Sequence, residues 1–145
     1  MTEHDPFNEP ETAHPRAREL MPEPLFWDCV DESTPFGSDE GNDAYYEWRS
    51  WREENPDASL ADCIAWILDG ELSGYASAYQ SDNWDSFALD ATIIATGLGQ
   101  LMDEGTIDER AQSFLGIAIQ RQRVPGAGQF DSHALDAIER VVRDA

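Results

Sequence analysis

The sequence contains no lysine: all nine of its basic residues are arginines, against thirty aspartates and glutamates in 145 residues. The formal net charge is therefore -21 at pH 7. Such a field repels phosphate backbones and anionic lipid headgroups, so we predict no direct binding to nucleic acid or to a membrane surface. It favours a basic partner protein or bound cations. The acidic composition has three alternative explanations: solubility in a salty cytoplasm, the composition of a GC-rich genome, and mimicry of nucleic acid by carboxylates.

The chain is also poor in cysteine and has no long apolar run. Cys29 and Cys63 are its only cysteines, and they do not form a CxxC motif. No stretch approaches the roughly 18 apolar residues that a membrane span needs, and the N-terminal segment is acidic rather than an apolar export signal. These absences predict a cytoplasmic protein with two free, buried thiols in a reducing compartment.

Recognisable catalytic motifs are absent as well. The histidines are His4, His14 and His133, and the sequence has no HExxH, no Walker loop, no GxSxG and no GxGxxG following a strand. Asp131 and Ser132, which precede His133, are typical of helix capping rather than of a catalytic unit. Carboxylates are too abundant in this chain to mark an acid–base pair. We therefore predict a protein without catalytic residues and without a cofactor.

The feature that dominates the chain after its first forty residues is helical periodicity. Apolar residues recur at spacings of three and four, and no strand-like alternation competes with them. Prolines, glycines and capping residues divide this pattern into separate helices. We predict an all-α, single-domain bundle of five or six helices. After a short helix within 14–21, the predicted helices are 42–54, 60–69, 84–104, 107–123 and a last one capped by Ser132.

Residues 1–13 differ in composition from the rest of the chain. They are rich in proline and acid and show no apolar periodicity. We expect them to form a flexible acidic arm that is disordered or loosely attached, and we expect residues 14–145 to form a single helical domain. The oligomeric state of that domain is open at this stage.

The longest predicted helix carries a stripe of small side chains at spacings of three and four. Small side chains let two helix axes approach closely, and a short connection forces the next helix to run antiparallel. We therefore predict that helix 107–123 lies against this stripe. Gly97 and Gly116, each unfavourable in a helix interior, are expected where neighbouring helices approach closely. The stripe consists of Ala88, Ala91, Ala95 and Gly99.

The most unusual stretch is TPFGSDEGNDAYYEWRSWREENP, residues 34–56, in which two glycines surround a short acidic run that leads into aromatics and arginines. Gly37 and Gly41 permit backbone angles that other residues avoid. The acids between and after them lie at the positive end of the predicted helix, which stabilises it. This stretch therefore predicts a capped helix entrance, whatever its function.

Two stripes of side chains follow on that helix. Trp48 and Trp51 share one side at helical spacing, and we predict that both are core. Tyr45, Arg49 and Arg52 form the adjacent stripe, which we predict to face outwards. In a structural interpretation Arg49 stacks on Tyr45 and pairs with the acid one turn later. In a functional interpretation the stripe is the wall of a pocket for a partner or a small anion.

A metal site is the alternative use of this region. Its carboxylates supply enough oxygen ligands for a divalent cation, although their spacing does not match the alternating calcium-loop pattern and a helix N-terminus repels cations. The alternative function is thus a metal-binding protein or a small metal-dependent enzyme. Its candidate ligands are Asp31, Glu32, Asp39, Glu40 and Asp43.

The segment 14–56 resembles the opening of the uncharacterised bacterial YfeS-like family. The resemblance rests on the pair His14–Pro15, on FWDCVDE and above all on PFGSDEGNDAYYEWRSWR, and it covers about a third of the chain. It implies a small cytoplasmic bacterial protein, without an established activity or catalytic residues. Some relatives are associated with a WGR module, which nothing in this chain resembles. The resemblance makes 39–52 the first region to examine for function.

The leading hypothesis is a non-enzymatic protein that binds another protein, such as a basic toxin or regulator. It is motivated by the intense negative charge together with the absence of catalytic constellations. Acids would steer the partner towards the surface, and a tyrosine and two arginines would anchor it. The candidate binding residues are Asp39, Glu40, Asp43, Tyr45, Arg49 and Arg52.

Overall fold

The computed structural model describes residues 7, 9–28, 30–31, 34–67, 85–123, 130 and 132–145. These residues form six α-helices and no β-strand, so the prediction of an all-α bundle of five or six helices is confirmed. Short 3-10 turns cover Pro10–Thr12 and Pro24–Trp27. The helices are α1 Pro15–Leu20, α2 Asp39–Glu54, α3 Leu60–Ile67, α4 Asp85–Glu104, α5 Glu109–Gln122 and α6 Ser132–Asp144.

Helix α4 is the centre of the bundle. From Asp90 to Met102 every side chain except that of Thr92 is buried, on all sides of the helix. A helix with burial all round must be enclosed by its neighbours. Within the described ranges, no helix combines the length and the apolar character that crossing a membrane requires.

Helix α5 runs antiparallel to α4, as predicted. Asp90 near the start of α4 pairs with Arg121 near the end of α5, at 3.3 Å between carboxylate oxygen and Nε. At the other end of the pair, the Gln100 side chain accepts a 2.8 Å hydrogen bond from the backbone N–H of Asp108. The register of these contacts follows from the four-residue connection between Glu104 and Glu109, which forces the chain to reverse.

At Gly99, however, the small-residue stripe of α4 packs against α2 rather than against α5 as predicted. A Cβ atom on Gly99 would lie 2.9 Å from Tyr45 and 3.1 Å from Trp48, so this glycine receives α2 and not α5. Helix α5 instead approaches Gly97, where a Cβ would lie 2.3 Å from a methyl carbon of Leu115. The large aromatics of α2 need the smallest surface on α4, which decides this arrangement.

The glycine predictions are partly wrong. Gly97 is closely approached as expected, but nothing lies within 4 Å of a Cβ atom at Gly116. Gly37 and Gly41 do not use the backbone freedom that glycine permits, because among the described glycines only Gly105, at φ 77°, has a positive φ angle. They are required for space, because a Cβ atom on Gly41 would lie 1.9 Å from the carbonyl oxygen of Pro35.

Asp108 holds the corner where α3, α4 and α5 meet. Its carboxylate accepts hydrogen bonds from the Ser59 hydroxyl at 2.7 Å and from the Leu60 backbone N–H at 3.2 Å, at the start of α3. It also accepts one at 2.9 Å from the backbone N–H of Arg110, at the start of α5. One side chain therefore caps two helices, and α5 begins two residues later than predicted because Asp108 is its cap.

Two further predictions concern the N-terminal segment and the cysteines. In the described part of residues 1–13, the Phe7 ring lies 5.3 Å from that of Phe36 and Ala13 is buried. Cys63 is a free, buried thiol, and burial raises its pKa to about 12. Cys29 lies outside the described residues.

Replacing Gly41 by alanine should lower the free energy of unfolding by on the order of 1–3 kcal/mol, because the clash is with backbone that cannot rotate away. Gly116→Ala is the matched control and should gain about 1 kcal/mol in helix propensity. Urea titrations followed by circular dichroism measure both. Equal changes in the two variants would contradict the close approach at Gly41.

Acidification should weaken the Asp108 corner. The Ser59 hydroxyl, followed by the backbone N–H groups of Arg110 and Leu60, holds the pKa of Asp108 below its ordinary value. The resulting stabilisation is complete above the unfolded-state pKa of about 4 and is lost as the pH falls through the lower folded-state pKa. In urea titrations at a series of acidic pH values, the unfolding free energy should depend less on pH in Asp108→Asn than in the native chain. Identical pH dependence would show that Asp108 does not contribute.

Candidate functional site

The entrance to α2 is built as a capped helix start. The Ser38 hydroxyl accepts a 3.0 Å hydrogen bond from the Gly41 backbone N–H, and the helix therefore begins at Asp39. This is three residues before the predicted start. Asp39 and Glu40 occupy the first turn, where their charges interact favourably with the helix dipole.

The predicted outward stripe of Tyr45 and Arg49 is buried, and this part of the prediction is wrong. The exposed fraction is 0% for Tyr45, 1% for Trp48 and 9% for Arg49. The cause is Asp103 on α4, which sequence reasoning missed. Its carboxylate accepts a 2.8 Å hydrogen bond from the Tyr45 hydroxyl and a 3.1 Å bond from the Trp48 indole N–H, and it lies 3.9 Å from Arg49 Nε.

A buried hydrogen-bond donor without an acceptor destabilises the folded state. Asp103 supplies the acceptor for these groups, so they can be buried without that loss of stability. Burial, together with the neighbouring carboxylate of Asp103, raises the pKa of Tyr45 above its ordinary value, so its hydroxyl remains a donor. Arg49 lies 5.5 Å from the Tyr45 ring centroid, which confirms the predicted stacking. The sequence signal that could have identified the role of Asp103 is its four-residue spacing from Gly99. This spacing places both residues on the side of α4 that receives α2.

Arg52 is also engaged within the chain. Its guanidinium donates to the backbone carbonyls of Asn55, Pro56 and Ala58 at 3.0, 3.2 and 2.7 Å. Its Nε lies 2.8 Å from a carboxylate oxygen of Glu104. Arg52 thus holds the turn that follows α2 against α4. As with Tyr45 and Arg49, its polar atoms are used in the fold.

The predicted acids lie on or before the first turns of α2. Asp31, Asp39 and Asp43 are exposed and Glu40 is half-buried, whereas Glu32 lies outside the described residues. In the part of the chain that the structure describes, no three His, Cys, Asp or Glu side chains are close enough together to hold a metal ion. The metal alternative therefore has no geometric support among these residues.

An open cavity lies beside this region, between α2 and α3. Its volume is about 680 Å³. Two aromatic side chains that contact it are exposed, Tyr46 at 41% and Trp66 at 55%. We call it the α2–α3 groove. Its lining residues are Asp43, Tyr46, Glu47, Ser50, Trp51, Glu54, Asn55 and Trp66.

The groove corrects the prediction for Trp51. Trp48 is core as predicted, but Trp51 is only half-buried and borders the groove, with its ring 6.3 Å from that of Trp48. The α2 side of the groove could have been found in the sequence, because five of its members follow helical spacings of three, four and seven or eleven residues. This stripe consists of Asp43, Tyr46, Glu47, Ser50 and Glu54.

The groove combines aromatic and acidic groups without basic ones. Three aromatic and three carboxylate side chains line it, and its described lining contains no arginine, histidine or cysteine. Asp43, Glu47 and Glu54 form no ion pair with any base in the described ranges. Aromatic faces and carboxylates both attract cations. The arrangement can therefore bind a positively charged group.

Removal of the Asp103 carboxylate should destabilise the fold strongly. Asp103→Ala leaves the Tyr45 hydroxyl and the Trp48 indole N–H without their acceptor, so the free energy of unfolding should fall by about 2–4 kcal/mol. Glu104→Ala removes an equal charge from the adjacent, more exposed residue and should cost less than about 1 kcal/mol. Chemical unfolding followed by tryptophan fluorescence gives both values. Equal losses would show that Asp103 does not hold α2.

Comparison with known proteins gives a partial resemblance. The chain is 40% identical over 58 residues to "Uncharacterized protein YfeS" of Escherichia coli (strain K12). The match covers 40% of this chain and 24% of that protein, so the chain matches about a quarter of the relative's length. No protein-family profile matches, and no solved structure matches. The predicted similarity to the YfeS-like family is confirmed over this part of the chain, and the printed name of the relative describes no activity.

Proposed function

We propose that this protein acts by binding a basic partner protein at the α2–α3 groove. The observation that carries the proposal is the lining of the groove: exposed aromatics beside three carboxylates that no described base neutralises. The overall net charge of -21 supports it, because a field of this sign attracts a basic protein from a distance.

The steering part of the earlier hypothesis is kept in this proposal. Asp39, Glu40 and Asp43 extend along the start of α2, and Asp43 also belongs to the groove. Glu47 and Glu54 continue the same charge along the helix. A partner with exposed basic residues would be oriented by this row before contact, and the association rate would fall as salt screens the charges.

The residues that anchor the partner in this proposal differ from those predicted from the sequence. Tyr45 and Arg49 are buried and Arg52 is held by three carbonyls and Glu104, so the exposed aromatics of the groove take over the anchoring role. Tryptophan and tyrosine are the side chains most often found to dominate binding energy at protein interfaces. Trp66 and Trp51, which come from two different helices, form opposite parts of the groove lining. The volume of the groove is enough for side chains of a partner rather than for a folded element.

The proposal is tested by affinity capture with a charge-neutralised groove. The native chain, the groove variant Asp43→Asn/Glu47→Gln/Glu54→Gln and the control variant Glu11→Gln/Glu19→Gln/Glu109→Gln are immobilised. An extract of the organism that encodes the chain is passed over each at low and high salt, and mass spectrometry identifies what is retained. The control removes the same charge from exposed residues outside the groove.

We expect one or more basic proteins to be retained at low salt by the native chain and the control and to be lost from the groove variant. Retention should weaken at high salt because the steering charges are screened. Equal retention by all three chains would show that the groove is not the binding surface. Retention of nothing at low salt, or of acidic proteins alone, would contradict a basic partner.

A further inference from the structure

The α2–α3 groove has the composition of a site for one particular basic side chain. This inference rests on the proposed function and narrows it to a chemical group. Trp51 on α2 has Glu47 four residues before it and Glu54 three residues after it, and all three line the groove. On a helix these spacings place a carboxylate one turn to either side of the indole. A cation that enters the groove would therefore lie within reach of one or the other of these carboxylates.

The same combination already occurs twice on the buried side of α2, and in both cases an arginine completes it. Arg52 lies 4.9 Å from the ring centroid of Trp48 and pairs with Glu104 at 2.8 Å. Arg49 lies 5.5 Å from the ring of Tyr45 and 3.9 Å from Asp103. In each case a guanidinium is held between an aromatic ring and a carboxylate.

Two of the three groove aromatics already have an arginine of the chain nearby, since Arg52 lies 5.8 Å from the ring centroid of Trp51 and Arg49 lies 5.9 Å from that of Tyr46. Trp66 is more than half exposed and has no aromatic or cationic partner among the described residues. Glu47 and Glu54 have no described basic partner either. The two helices thus present an incomplete version of an arrangement that the chain completes elsewhere with its own arginines.

We propose that the α2–α3 groove binds an arginine side chain of the partner, with its guanidinium stacked on the exposed indole of Trp66 and hydrogen-bonded to Glu47 or Glu54. Arginine fits better than lysine for two reasons. Its planar group stacks on an indole and can bond a carboxylate through two N–H groups, and it is less strongly hydrated than an ammonium group. Both properties match a groove whose walls are aromatic and whose acids flank a ring.

The test is an NMR titration of the native chain with three short peptides of the form acetyl-Gly-Gly-Xaa-Gly-Gly-amide. Xaa is arginine, lysine or citrulline, which has nearly the shape of arginine but no charge. The indole N–H signals report directly on the tryptophans, and Trp→Phe variants assign them. Trp27 is the internal control, because its indole N–H donates to the Met21 carbonyl and it does not line the groove.

We expect the signals of Trp66 and Trp51 to shift saturably with the arginine peptide and the Trp27 signal to stay in place. The lysine peptide should bind about two- to fivefold more weakly, because its ammonium group does not stack on the indole as a guanidinium does. The citrulline peptide should cause no saturable shift. Glu47→Gln/Glu54→Gln and, separately, Trp66→Ala should each weaken arginine binding at least about twofold. Both variants change side chains that are exposed or border the groove, and the unchanged Trp27 signal verifies their fold.

Three outcomes would overturn the inference. Equal affinity for arginine and lysine peptides would remove the guanidinium specificity. Equal shifts with citrulline would show that charge is not recognised, and no shift of Trp66 with any peptide would show that the groove does not take this side chain. None of these outcomes decides whether a basic protein is captured by the whole surface, because affinity capture with the neutralised groove measures that separately.

Discussion

The contact between α2 and Asp103 of α4 is the constraint on which the rest of the structure depends. Gly99 leaves room for the rings of Tyr45 and Trp48, and Asp103 accepts the hydrogen bonds that both rings must make once they are buried. Without the space the helices could not approach, and without the acceptor the approach would leave two buried donors unpaired. Space and an acceptor, four residues apart on one helix, together fix the orientation of α2.

The groove is a consequence of that orientation. A helix turned so that Tyr45 and Arg49 face the core presents the opposite stripe, with Asp43 and Glu47, away from it. Arg52 then ties the end of α2 to the next turn, and the Asp108 carboxylate fixes the start of α3. These contacts determine where Trp66 lies relative to α2. The groove is thus positioned by polar contacts outside its own lining.

Periodicity was enough to predict the all-α class, most helices and the antiparallel α4–α5 pair, because these follow from local spacing and short connections. It could not show which aromatic stripe of α2 is buried, since Tyr45 and Trp51 are both compatible with a core position. That choice depends on Asp103, about 55 residues away, and on whether a buried hydroxyl finds an acceptor. The open space beside Gly116 and the close approach at Gly41 likewise depend on the packing of other segments, and no local pattern reports them.

The central claim is that one side of α2 is locked into the bundle and the other is exposed to solvent. Hydroxyl-radical footprinting with fragment mass spectrometry tests it at two adjacent residues of the same ring chemistry, Tyr45 and Tyr46. The account predicts rapid oxidation of Tyr46 and Trp66 and protection of Tyr45 and Trp48, as their exposures require. Oxidation of Tyr45 as fast as that of Tyr46 would show that α2 is turned differently and would contradict the account.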